Sequence, residues 1–320
     1  MIKAAQQFRH SLISEFCLLG VDEFKTKIFD EATVDCDVIF AQKKKLADYD
    51  VEVRARNSEL IEGVNVLSNS TLLKHKFFNL SLSNKELLLL DKINSRSWFV
   101  KDYFDVKNGV KPYEKGKGYP PQTKEIVQQK PYTAATKLNA SFQPLIGGSY
   151  FNKYVNLWNG NFWISYGKWL AAPREESIFK ADEKLIIRQT SDRIIATLIP
   201  SGFIIRDNTH IILKKNPKFS LQYLLGILNS KLVDFVYTSI NPEKGEALAQ
   251  VKVFHLEMLP FYPVFMQQQA PVIKIVDRIL AAKKSNPNAD TTALEKEIDR
   301  LIYQRYELTE EEIKIVEGEL

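Results

Sequence analysis

The chain has 320 residues, with 45% hydrophobic and 26% charged side chains and a formal net charge of +5. These proportions exclude a disordered, collagen-like or disulfide-stapled chain, and the length suffices for two domains, each with its own core. No apolar run reaches the roughly 18–20 residues that span a bilayer, and the N-terminus (MIKAAQQFRHSL) lacks a signal-peptide core. Two cysteines, Cys17 and Cys36, cannot make a structural-zinc quartet, so a reducing, cytoplasmic setting is expected.

Charge is placed unevenly. Residues 1–100 sum to zero, residues 101–230 hold 19 basic and 10 acidic side chains, and residues 231–320 hold 11 basic against 15 acidic. The basic middle is a candidate electrostatic footprint for nucleic acid; a solvated, lysine-rich surface is the bland reading of the same numbers.

In chain order, Val34, Cys36, Val38 and Phe40 alternate with polar residues and predict a strand. Val51-Glu52-Val53-Arg54 predicts a second strand after the polar QKKKLADYD run, so the pair is a candidate hairpin and looks like the tail of a larger sheet. Ser83 and Glu86 have capping-box spacing ahead of Leu87–Leu90 and predict a short helix. The stretch 106–122 is dense in Gly, Pro and Lys and predicts an exposed loop rather than an element. Four β-branched runs between 184 and 215 (LIIRQ, IIATLI, FIIRD, HIILK), parted by turn residues, predict an antiparallel sheet. Ser220 is the expected N-cap of a helix striped by Leu221, Leu224, Leu225, Leu228 and Leu232. The C-terminus predicts a helix with Val272, Val276, Ile279 and Leu280 on one face. A second, capped by Thr292 and Glu295, carries Leu294, Ile298, Leu301, Ile302 and Tyr306, and a third starts at Thr309 and Glu312.

A catalytic constellation is harder to find. The sequence contains no phosphate loop, no Gly-x-Gly-x-x-Gly and no nucleophile elbow. Four histidines (His10, His75, His210, His255) lack metal-ligand spacing and read as surface or satisfied core residues. Asp182-Glu183-Lys184 could in principle hold magnesium and orient water, but it leads straight into a hydrophobic strand and reads more simply as an acidic turn. A binding reading has more support. Lys111, Lys115, Lys117 and Lys124 interleave with Tyr113 and Tyr119 in a Gly-rich loop, where lysines would neutralise phosphates and tyrosines would stack or hydrogen-bond. Arg188-Gln189-Thr190-Ser191-Asp192-Arg193 joins two predicted strands and carries side chains suited to bidentate contacts with guanine and adenine edges. The alternative at that hexapeptide is an Arg188–Asp192 pair with Arg193 merely exposed.

Several segments, in order, resemble the adenine-specific DNA methyltransferases of bacterial restriction–modification systems. Phe29-Asp30-Glu31-Ala32-Thr33-Val34-Asp35 resembles a strand near the end of their catalytic domain. The run 108–118 (NGVKPYEKGKG) is similar to the entry of a TaqI-like target-recognition domain, and 187–196 (IRQTSDRIIA) with 224–232 (LLGILNSKL) to its core. The run 297–313 is similar to the helical end of single-chain type IIG enzymes. The resemblance implies an α+β chain: an N-terminal strand remnant of a methyltransferase sheet (1–95), a mixed α/β recognition domain with antiparallel strands (96–265) and a C-terminal helical hairpin (266–320). It also implies a sequence-specific recognition module for double-stranded DNA, directing adenine methylation or cleavage by a catalytic part. The Gly-rich S-adenosylmethionine loop and the Asn-Pro-Pro-Tyr tetrapeptide that polarises the target adenine do not occur here, and Tyr119-Pro120-Pro121-Gln122 lacks the required Asn. No autonomous activity and no cofactor are therefore expected on this chain; S-adenosylmethionine, and magnesium for a nuclease, belong to the complete enzyme. The expected DNA-binding residues are Lys111, Tyr113, Lys115, Lys117, Tyr119, Lys124, Arg188, Gln189, Thr190, Ser191 and Arg193. The alternative is a helical assembly subunit, built on the acidic 272–316 region, with little DNA contact of its own.

Overall fold

The computed structural model describes residues 3–24, 26, 28–29, 31, 36–44, 46–57, 59–74, 80–241 and 249–319. The chain divides into two units, Met1–Ser95 and Arg96–Leu320.

In the first unit, strands Cys17–Phe24, Asp37–Gln42, Asp50–Asn57 and Leu60–Ser68 form one sheet with Cys17–Phe24 inside it. That strand runs antiparallel to Asp37–Gln42 (Gly20 opposite Phe40) and parallel to Asp50–Asn57 (Val21 opposite Val53). The expected hairpin between the second and third strands is thus corrected: an earlier strand lies between them. Cys17–Phe24 escapes a period-2 reading because its burial does not alternate: Cys17, Leu18, Gly20, Val21 and Asp22 are buried while Leu19 is exposed. Asp22 is tolerated there because Arg54 and Arg56 both donate Nε–H to its carboxylate. Burial alone would raise this carboxyl's pKa; the two guanidinium groups outweigh it and hold the group below the usual range. Val34 and most of the 29–35 run lie outside the described residues. The capping box at Ser83 forms as expected, Ser83 N–H donating to Glu86 Oε2 at 2.7 Å and Glu86 N–H to Ser83 Oγ at 3.3 Å, and it opens helix Asn84–Ser95.

The second unit centres on an antiparallel sheet in the order Ala196–Pro200, Glu183–Arg188, Thr209–Lys214, Phe104–Asn108. Three of the four runs read between 184 and 215 build it. The fourth, Ile204–Ile205, leaves it and pairs parallel to Leu145–Ile146 in a second sheet with Phe142–Ile146, Trp163–Ser165 and Thr133–Ala134. Its place in the main sheet is taken by Phe104–Asn108, so residues 106–108 of the expected loop are strand. The two sheets share one core: Ile186, Ile199 and Ile211 of the first lie in the same buried cluster as Leu145, Ile146, Ile164, Ile204 and Ile205. Each such side chain contributes about 1.5–3 kcal/mol by leaving water, which is why the short Ile204–Ile205 run moves to where both isoleucines are covered.

Helix Leu221–Leu228 packs on strands Glu183–Arg188 and Ala196–Pro200 and against helix Met266–Ser285. Ser220 caps it as expected, accepting from Tyr223 N–H at 2.9 Å. The stripe reaching Leu232 belongs to two helices, because Ser230 caps a new one, Lys231–Ile240. At the C-terminus Thr309 and Glu312 close their box around helix Glu310–Glu317. Helix Thr292–Tyr306 is preceded by Thr291, which makes no side-chain cap bond; its hydroxyl instead donates to Glu295 at 2.7 Å, so the expected Thr292–Glu295 capping box does not form. Helices Met266–Ser285 and Thr292–Tyr306 bury Val272, Ile275, Val276 and Ile279, and Ile298, Ile302 and Tyr306, within this same unit.

Candidate nucleic-acid interface

The main sheet brings the two expected binding segments to one end of its strands. Asn108 pairs with His210, His210 with Ile187, and Ile187 with Ala196, so these four residues form one row across the strands. The basic loop leaves this row after Asn108, and the 188–195 turn joins Ile187 to Ala196 along it.

The basic loop is held by backbone partners from residues 168–172. Lys111 and Ala172 exchange both amide–carbonyl bonds (3.0 and 2.9 Å), and Tyr119 N–H donates to Lys168 O at 2.8 Å. Gln122, 2% exposed, is its internal pin. Its amide donates to Pro112 O and Trp169 O, both at 2.8 Å, and its carbonyl accepts Glu114 N–H at 2.9 Å. Gly109 lies so close to the next strand connection that a Cβ there would stand 2.2 Å from Arg206 O. Gly118 adopts φ +84°, and its Cβ would meet Trp169 O at 2.4 Å; glycine is the residue that permits both.

The loop's side chains divide into outward and inward sets. Lys115, Lys117, Lys124 and Tyr119 are exposed, Tyr119 at 67%. Lys111 Nζ sits 2.6 Å from Glu114 Oε2, and this ion pair raises the lysine's pKa and lowers the glutamate's. Tyr113 turns inward, contrary to the expectation that it meets nucleic acid. Its ring stacks on Tyr132 at 5.7 Å and its hydroxyl accepts Tyr132 N–H at 2.7 Å and bonds Thr133 Oγ1 at 3.2 Å.

The 188–193 turn divides the same way. Arg188 was expected among the base edges or paired to Asp192. Instead its guanidinium donates to Gly148 O at 2.9 Å and Phe151 O at 2.5 Å, fastening the second sheet's connection to the end of the first sheet. Burial pulls its pKa below the ordinary guanidinium value. Gln189 accepts Val251 N–H at 2.7 Å with its backbone carbonyl, Thr190 bridges Gln250, and Ser191 N–H donates to Ala249 O at 2.9 Å. Arg193 is exposed, and its amide donates to Ser191 Oγ at 3.2 Å. From below, Asn229 brackets Ala196 with two 3.0 Å bonds and Asp234 accepts Ile194 N–H at 3.3 Å.

Sequence reading missed Lys168, exposed with Nζ 4.6 Å from the Tyr119 ring centre, a cation–π contact that joins it to the loop. Tyr166-Gly167-Lys168-Trp169 has the same Lys–aromatic–Gly composition as the loop, and that signal could have found it. Arg174, whose Nε donates to Gly109 O at 3.0 Å, carries no comparable local signal.

In the Asp182-Glu183-Lys184 run the glutamate and the lysine are engaged within the fold. Lys184 is buried and donates to Ala181 O and Pro200 O at 3.2 and 3.1 Å; burial pushes its pKa down to about 8. Glu183 accepts from Gln222 at 3.1 Å and stands 3.9 Å from Lys214. Among the described residues no group of three or more His, Cys, Asp or Glu side chains could hold a metal ion, and no helix is long and apolar enough to cross a membrane.

Residues 143–261 match the TaqI-like C-terminal specificity domain. A putative type II restriction enzyme and methyltransferase of Methanocaldococcus jannaschii is 26% identical over 182 residues, covering 53% of this chain and 15% of that protein. The type IIL restriction–modification enzyme MmeI, solved in complex with DNA, superposes with a TM-score of 0.50 at 11% identity, over 96% of this chain and 47% of its own. The type IIG restriction endonuclease BpuSI aligns at a TM-score of 0.40 and 11% identity, over 96% and 46%. The chain thus spans less than half the length of these two solved enzymes and 15% of the Methanocaldococcus jannaschii protein. Three of the main sheet's four strands (Glu183–Arg188, Ala196–Pro200 and Thr209–Lys214) and the 188–195 turn fall in the matched residues, whereas the basic loop precedes them, so it is residues 143–261 that are similar to a TaqI-like C-terminal specificity domain.

Proposed function

We propose that this chain is the DNA target-recognition module of a type II, IIG-like restriction–modification enzyme, selecting the double-stranded site at which a catalytic methyltransferase or nuclease part acts. The observation that carries the reading is the shared end of the main sheet: within and beside the residues matched to a specificity domain, a loop with exposed lysines and a turn that exposes Thr190 and Arg193 leave the same row of residues. Lys115, Lys117, Lys124 and Lys168 would neutralise backbone phosphates, and Tyr119 would lie against sugar or base. Gln189, Thr190, Ser191 and Arg193 would meet base edges in the groove. Arg188 and Tyr113 are assigned to holding the scaffold. Methyl transfer, with its S-adenosylmethionine, is assigned to the catalytic part, because the residues that would perform it do not occur in these 320.

Binding across a salt series tests the reading. Log affinity for duplex DNA should fall with log salt by about 0.9 for each phosphate neutralised. A flat salt response, or no binding to any duplex at low salt, rules it out. The helical-assembly alternative has less support, since the apolar stripes of the 266–285 and 292–306 helices are spent inside their own unit.

A further inference from the structure

One buried side chain touches the foot of both DNA-facing segments. His210 is 2% exposed. Its Nδ1 lies 2.9 Å from Asn108 Oδ1, one residue before the basic loop begins, and its Nε2 lies 2.7 Å from Val251 O. Val251 in turn donates its amide to Gln189 O, and Thr190 and Ser191 pair with Gln250 and Ala249, so residues 249–251 form the strap beneath the turn. A carbonyl needs a donor, so Nε2 carries the ring proton. Burial lowers the imidazole's pKa and favours the neutral ring, leaving Nδ1 to accept from the Asn108 amide, whose orientation is read from that partner.

We propose that His210 is a positioning residue that fixes the spacing between the basic loop and the 188–195 turn, so that phosphate contacts made by one set the register in which the other meets base edges. Backbone contacts position and base contacts specify, so discrimination depends on the two being held rigidly together. This role rests on the reading of the chain as a DNA-recognition module.

Two substitutions divide the link. In His210→Gln the amide nitrogen reaches where Nε2 stood, keeping the donor to Val251 and releasing Asn108. In His210→Asn the amide oxygen reaches where Nδ1 stood, keeping an acceptor for the Asn108 amide and releasing Val251. Hydrogen exchange on the full chain should speed up about tenfold at Gly109 in the first variant and at Val251 in the second, with Ile186 and Ile211 unchanged. Both variants should lose about tenfold in discrimination between the duplex that the native chain selects from a random pool and an unrelated duplex. Affinity for the unrelated duplex at low salt should hold. Undiminished discrimination, or exchange that rises evenly through the unit, overturns the role. Failure of the native chain to bind any duplex would sink the DNA reading itself; the exchange pattern at the two feet still decides whether His210 couples them.

Discussion

The side-chain amide of Gln122 donates to the carbonyl of Trp169 at 2.8 Å, joining the basic loop to a segment 47 residues away. The same side chain bonds Pro112 O and Glu114 N–H, so a single buried glutamine organises backbone on both sides of the loop. Each buried polar group left without a partner costs roughly 1–3 kcal/mol. Gln122→Leu fills similar space and strips all three bonds, and should therefore loosen the loop before the core. The expected outcome is faster hydrogen exchange at Lys111 and Tyr119 and a urea midpoint lowered by about 1–3 kcal/mol of stability, with Ile186 still protected. An unchanged loop would show that the backbone pairs with Ala172 and Lys168 suffice alone.

The lysines of the loop are not equivalent, although composition treats them alike. Lys117 is exposed, whereas Lys111 is paired to Glu114. Lys117→Ala should lower the slope of log affinity against log salt by about 0.9, and Lys111→Ala by less. Glu114→Gln releases Lys111 and should steepen the slope. Fluorescence titration on a fixed duplex at four or five salt concentrations separates the three variants, and equal effects from both lysines would contradict this division.

How much of this was legible depends on the range of each interaction. The capping boxes at Ser83 and Thr309 and the cap at Ser220 are local, complete within four residues, and were read correctly. The β-branched runs announced three of the main sheet's strands for the same reason. Strand Cys17–Phe24 was not legible because its buried residues do not alternate, and Asp22 looks like a break until Arg54 and Arg56 are placed beside it. In the binding site, residue type pointed to Arg188 as strongly as to Arg193. Only the positions of the Gly148 and Phe151 carbonyls, some 40 residues away in sequence, separate the scaffold arginine from the exposed one.

That separation is testable. Arg188→Ala leaves two carbonyls without their charged donor and should cost about 1.5–3 kcal/mol of stability, seen as a lowered denaturation midpoint whatever DNA is present. Arg193→Ala should leave stability within about 0.5 kcal/mol and weaken cognate binding by about 1–3 kcal/mol if the side chain reads a base. A uniform loss on all duplexes would assign Arg193 to phosphate instead.

The C-terminal helices carry a pH-sensitive joint. Asp299 Oδ1 accepts Lys231 N–H at 2.9 Å, the first amide of helix Lys231–Ile240, and Asp299 is 7% exposed. Burial raises its carboxyl to about 6 from an ordinary 3.8, and the Lys231 amide and the charges of Lys231 and Lys153 offset only part of that rise. The folded state therefore holds the proton more tightly than the unfolded chain. The stability this confers is full below about pH 3.8 and is lost as pH rises through about 6. Asp299→Asn keeps an oxygen facing the Lys231 amide and removes the charge that burial penalises. At pH 7 the variant should be more stable than the native chain by about 1–2 kcal/mol, and the gain should shrink as pH is lowered from 6 towards 4. Thermal denaturation of both chains across pH 4–8 checks the sign. A variant destabilised at pH 7 would mean that the carboxylate's interactions with Lys231 and Lys153 outweigh the cost of burying it.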